Sequence, residues 1–148
     1  MSALYLAGKN ISDAGAEVLA QAAFSNKSLS AFCIVGCEIS DTGAKAVAEA
    51  ARGSRSLTTF YLNGWKISDS GAKAVAEAVK GCPLSVLYLS SRKVSDAGAT
   101  AVAEAMKDCP LSAFCLRCDE ISDAGALVVA EAMKDCPLSV FLLGEIKS

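Results

Sequence analysis

The sequence predicts a right-handed α/β solenoid, a stack of strand–helix units with strands on one side and helices on the other. Three observations predict it. The hexamer Ile11-Ser12-Asp13-Ala14-Gly15-Ala16 returns at 39–44, 67–72, 94–99 and 121–126, its glycines stepping by 28, 28, 27 and 27 residues. A short apolar triplet keeps the same beat, from Leu4-Tyr5-Leu6 through Phe32-Cys33-Ile34, Phe60-Tyr61-Leu62, Leu87-Tyr88-Leu89 and Phe114-Cys115-Leu116 to Phe141-Leu142-Leu143. Within each unit the apolar period switches from two to that of a helix face.

Five full units fit as 1–28, 29–56, 57–83, 84–110 and 111–137, with a partial sixth from 138 to 148, and together they read as a single domain over 1–148. Unit three serves for all. Leu57, Phe60 and Leu62 alternate with Thr59, Tyr61 and Asn63, which is a short strand. Ala72, Val75, Ala76 and Val79 follow at i, i+3, i+4 and i+7, which is a helix face. Asp69 precedes that face and is expected to cap the helix's free N–H groups. Cys82-Pro83, Cys109-Pro110 and Cys136-Pro137 are expected to stop the helices. Strands should begin near residues 3, 31, 59, 86, 113 and 140. Leu6, Ile34, Leu62, Leu89 and Leu116 should be buried with Val47, Val75, Val102 and Val129.

One strand and one helix cannot bury a face alone, so the units must stack, with all strands parallel. Strands sit ~4.8 Å apart and helices ~10 Å apart, so the stack must curve into an arc with the sheet inside.

Apolar residues make up 53% of the chain, which argues against disorder, and a net charge of −2 offers no basic surplus for nucleic acid or a membrane surface. No apolar run approaches the ~20 residues of a membrane span. Histidine is absent, so a Ser-His-Asp site cannot be assembled. Seven cysteines, an odd number, and no visible secretory signal point to reduced thiols in the cytoplasm. Cys115-Leu116-Arg117-Cys118 has redox or half-zinc spacing, but no second pair completes four ligands. It is read as structural, as is the Cys82, Cys109, Cys136 series. The Lys45/Glu49, Lys73/Glu77, Glu77/Lys80, Glu104/Lys107 and Glu131/Lys134 spacings read as a solvated helix face. No catalytic residue, metal or cofactor is expected.

The pattern Leu29-x-x-Phe32-x-Ile34-x-x-Cys37-x-Ile39, with the 27–28-residue unit and its Ile-x-Asp-x-Gly-Ala-x-x-Val-Ala-Glu-Ala segment, resembles a leucine-rich repeat. The unit looks like the ribonuclease-inhibitor-like subclass, which also supplies NOD-like receptor arrays and the activator of the Ran GTPase. The resemblance implies a horseshoe arc with a concave parallel sheet and convex helices, used as a binding scaffold. The family's Asn or Cys column, which ties neighbouring loops, here reads Lys9, Cys37, Trp65, Arg92 and Asp119. Only Cys37 fits, so looser loops are expected at that edge.

The expected function is non-enzymatic binding of a partner protein on the concave face. The outward strand centres form the column Tyr5, Cys33, Tyr61, Tyr88, Cys115 and Leu142, and Asn63 and Arg117 lie in a flanking column. Strand propensity alone would also favour such residues. Trp65 and Arg92 could join Tyr61 as a hot spot, or Trp65 could fill the space of the missing Asn. The alternatives are a GTPase regulator of the Ran-activator type, or the recruiting arm of a larger receptor, ligase or effector. Both ends lack a visible cap: Met1, Leu4, Leu6 and Ile11 form the first core layer, and Leu138, Phe141, Leu143 and Ile146 the last. Self-association through an end, the C-terminal one first, or continuation into a longer parent chain, is therefore expected.

Overall fold

The computed structural model describes residues 2–8, 10–36 and 38–144; Met1, Lys9, Cys37 and Ile146 lie outside them. The chain alternates β1 (Ser2–Ala7), α1 (Asp13–Phe24), β2 (Leu29–Val35), α2 (Asp41–Ala51), β3 (Thr59–Asn63) and α3 (Asp69–Val79). It continues with β4 (Val86–Ser90), α4 (Asp96–Met106), β5 (Ala113–Arg117), α5 (Asp123–Met133) and β6 (Val140–Gly144). The strands form one sheet in the order β1-β2-β3-β4-β5-β6. Every pairing is parallel and in repeat register, so Tyr5, Cys33, Tyr61, Tyr88, Cys115 and Leu142 stand side by side. This is an α/β leucine-rich-repeat solenoid. Four strands start where the sequence places them; β2 starts at Leu29, earlier than 31, and one register shift between Ser2 and Ala3 absorbs the difference against β1.

The core is the layer between sheet and helices. Phe32, Phe60, Phe114, Ile34, Leu62, Leu89 and Leu116 enter it from the strands, and Val47, Val75, Val102 and Val129 from the helices, all buried. Leu6 is only half-buried, against expectation, because in β1 it meets a neighbour on one side alone. Aromatic rings run along part of the layer: Phe24–Phe32 centroids lie 4.9 Å apart, Phe32–Phe60 5.7 Å and Phe114–Phe141 5.8 Å.

The repeated aspartates do not cap their own helices. Each is the first helical residue, and the N-cap is the preceding serine, in extended conformation. The carboxylate reaches into the next unit instead. Asp13 accepts from the Ser40 amide at 2.7 Å and the Ser40 hydroxyl at 2.5 Å. Asp41 takes the same two donors from Ser68 and also the Gly71 amide at 3.0 Å. Asp69 holds Ser95, and Asp96 holds Ser122. Each such bond is charge-assisted, the stronger kind.

This lock explains the hexamer's glycine. A Cβ on Gly43, Gly71, Gly98 or Gly125 would collide with the carboxylate of Asp13, Asp41, Asp69 or Asp96 respectively. Gly15 has no such neighbour, and a Cβ there would meet only Ile11, at 3.9 Å.

The loop edge past the strands is also tied, contrary to the expected slack. Gly8, Gly36, Gly64, Ser91 and Cys118 donate their amides to Val35, Asn63, Ser90, Arg117 and Gly144 at 2.8–3.0 Å, extending the ladder one residue beyond each of β1 to β5. At the opposite edge the helices end before the prolines: α3 stops at Val79, and the Cys82 amide closes the turn onto its carbonyl at 2.9 Å. Cys82, Cys109 and Cys136 place Sγ against the carbonyls of Ala51, Lys80 and Lys107 in the unit before. Glu77–Lys80, Glu104–Lys107 and Glu131–Lys134 pair on the outer surface, as expected; no pair joins Lys45 to Glu49 or Lys73 to Glu77. Exposed pairs of this kind contribute little.

Candidate functional site

The open face of the sheet, opposite the helices, carries the central column. Alternation along each strand aims Phe60 and Leu62 into the core and Thr59, Tyr61 and Asn63 outward, and the parallel register repeats that choice six times. At its centre Tyr61 and Tyr88 stack face to face, with ring centroids 4.0 Å apart and planes 1° from parallel. Strand pairing puts the two side chains on neighbouring strands ~4.8 Å apart, and their matching rotamers lay the rings flat against each other. Burial, aided by a hydrogen bond to Tyr88, pushes the Tyr61 hydroxyl up to about 12, so it stays uncharged through the physiological range.

Cys33 and Cys115 flank the pair, both half-buried. Burial raises both thiols above their ordinary value, which keeps them as thiols rather than reactive thiolates. Tyr5 and Leu142 end the column and are well exposed, at 73% and 44%. Asn63 and Arg117 lie half-buried at the ends of β3 and β5, where their carbonyls take amides from the neighbouring loop.

Trp65 and Arg92 leave the loops just past β3 and β4. The Arg92 guanidinium carbon lies 4.1 Å from the Trp65 ring centroid, a cation–π contact. Trp65 remains 39% exposed, so it does not fill an interior gap. The Arg92 Nε is buried by this packing and makes no hydrogen bond among the described residues.

The C-x-x-C does not form a unit: Cys115 lies on the open face, while Cys118 is buried in the core, its thiol raised to about 12 mainly by burial. Among the described residues no three His, Cys, Asp or Glu side chains gather where they could hold a metal ion. None of the described helices is long and apolar enough to cross a membrane.

The family described as Leucine Rich repeat matches residues 25–48, which span β2 and most of α2. This match agrees with the strand–helix alternation of the whole chain. No curated protein matches the sequence. Domains of this family generally mediate protein–protein interaction and are typically not enzymes.

Two parts of this arrangement escape sequence reasoning. Ring stacking between Tyr61 and Tyr88 depends on register and rotamers, though their 27-residue spacing in the strand column is the available signal. The forward reach of the aspartates is the other. Its signal is Ser-Asp-x-Gly, which is constant in all five hexamers.

Proposed function

We propose that this protein is a non-enzymatic binding module that seats a partner protein on the concave sheet face. The observation that carries this reading is the stacked Tyr61–Tyr88 pair, an uncharged aromatic platform bounded by Cys33, Cys115, Asn63 and Arg117. Tyrosine, tryptophan and arginine are the residues that most often anchor interfaces. The Trp65–Arg92 pair extends the platform toward the loop edge. Six strands at ~4.8 Å give a face about 24 Å wide, which together with the loop edge supplies the central part of an interface of roughly 800 Å² per partner. The absence of histidine and the raised thiols of Cys33 and Cys115 favour recognition over chemistry.

The test is affinity capture from the source lysate with three baits: wild type, Tyr61→Ala/Tyr88→Ala, and Lys73→Ala on the helix side. A partner retained by wild type and Lys73→Ala but lost with the tyrosine variant supports the reading. A partner lost only with Lys73→Ala moves the interface to the helices.

We also propose self-association through the C-terminal end. Val140, Phe141 and Leu142 are 49%, 41% and 44% exposed on the edge strand, and Leu127 on α5 is 70% exposed where α2 and α3 carry Lys45 and Lys73. Light scattering at micromolar concentration should give at least twice the chain mass; a monomer at that concentration overturns it.

A further inference from the structure

A cavity of about 380 Å³ opens at the edge where the strands begin, between the turns that follow α1 and α2. Its wall is where the repeat breaks. Two residues before Leu84, Leu111 and Leu138, the later units carry Cys82, Cys109 and Cys136, which close each turn against the unit before. The same position before Leu29 and Leu57 holds Lys27 and Arg55. Both line the cavity, both are exposed, and neither has an ion pair or side-chain hydrogen bond among the described residues.

Arg52 adds a third cation, 3.6 Å from Glu49 in a solvated pair, and no carboxylate lines the cavity. Gly53, at φ +80°, turns the chain here, and its amide and that of Arg55 donate to no backbone carbonyl among the described residues. The carbonyl ends of α1 and α2 point to the same region and by themselves attract cations. For α2 that role falls to Arg52, paired with Glu49 as Lys80 is with Glu77 and Lys107 with Glu104. Lys27 and Arg55 are cations beyond that pattern. Half-buried Phe24 gives the cavity an apolar wall.

We propose that this cavity binds a phosphomonoester, with the dianionic phosphate on Lys27, Arg52 and Arg55 and a flat apolar body against Phe24. Three cations exceed what one carboxylate would neutralise, and two guanidinium forks match phosphate oxygens in pairs. The volume falls in the range of small-ligand sites. The phosphate could belong to a free small molecule or to a phosphorylated tyrosine of a protein, and the test separates these.

The full chain is titrated with phenyl phosphate, a phosphotyrosine peptide, inorganic phosphate and benzoate, reading backbone amide shifts. Phenyl phosphate should give saturable shifts at Gly53, Ser54 and Arg55, and bind at least about tenfold tighter than benzoate or inorganic phosphate. Lys27→Gln/Arg55→Gln should lose at least about tenfold in affinity at unchanged melting temperature, while Lys73→Gln keeps it. A peptide tighter than phenyl phosphate supports the site with a phosphoprotein as source, and a peptide no tighter supports it with a small molecule. Equal affinity for benzoate, full affinity in the double variant, or shifts spread equally to Lys66 and Lys73 overturn the proposal. A double variant that only melts earlier, with no saturable phosphate shift in wild type, overturns it too and leaves the two cations serving the helix ends.

Discussion

The first unit and the third share the hexamer, yet the same residues do different work in each. In unit three Ser68 and Gly71 receive the carboxylate of Asp41, and the glycine is needed because that carboxylate occupies the place of a side chain. In unit one Ser12 and Gly15 face no earlier aspartate, and Gly15 has room. The core shows the same contrast. Phe60 and Phe114 are fully buried, whereas Phe141 in β6 is 41% exposed. A repeated residue takes its energetic meaning from the neighbour that covers it, not from the motif it belongs to.

The largest expected effect separates Phe114 from Phe141. Phe114→Ala should cost about 3–5 kcal/mol, and Phe141→Ala well under half of that, read by urea denaturation. Equal losses would mean that a second layer covers β6.

Next is the glycine pair. Gly71→Ala should cost about 1–3 kcal/mol by overpacking against the Asp41 carboxylate. Gly15→Ala should be neutral or stabilise α1 by up to about 1 kcal/mol, since alanine is the better helix former. Thermal melts of the two variants check this, and a harmless Gly71→Ala would remove the lock from the account.

A smaller effect is pH-dependent. The Ser122 hydroxyl and amide hold the Asp96 carboxyl below its ordinary range. Its folded pKa is therefore below its unfolded one, so its contribution is present above the unfolded value and is lost as pH falls through the folded one. Wild type should lose melting temperature more steeply than Asp96→Asn as pH falls below about 4. Parallel profiles would show that this lock adds no acid sensitivity.

The smallest effect concerns the loop pair. Arg92→Ala should cost about 0.5–1 kcal/mol for the exposed cation–π contact, partly offset by freeing the unpartnered Nε. A double-mutant cycle with Trp65→Ala measures the coupling, and zero coupling would make the contact incidental.

Element types, the parallel order and most of the buried set were legible in the sequence, because each depends on local periodicity and on counting from Gly15 to Gly125. The central column was legible for the same reason: once strands are in repeat register, Tyr5, Tyr61 and Tyr88 must share a face. What no local pattern fixes is where a side chain ends once units are stacked. Asp69 is within reach of its own helix and of the next unit, and only the packed distance between units sends it to Ser95. The cavity at Lys27 and Arg55 is likewise a difference between neighbours. The lysine and arginine are visible in the sequence, but the space between their turns appears only once the units are packed. Sequence by itself determined the period, the faces and the stacking direction, since these follow from covalent spacing and hydrophobic burial. Tertiary structure alone decided which hydrogen-bond partner, ring or empty volume each repeated residue meets, since that is set by contacts between units 27 or 28 residues apart.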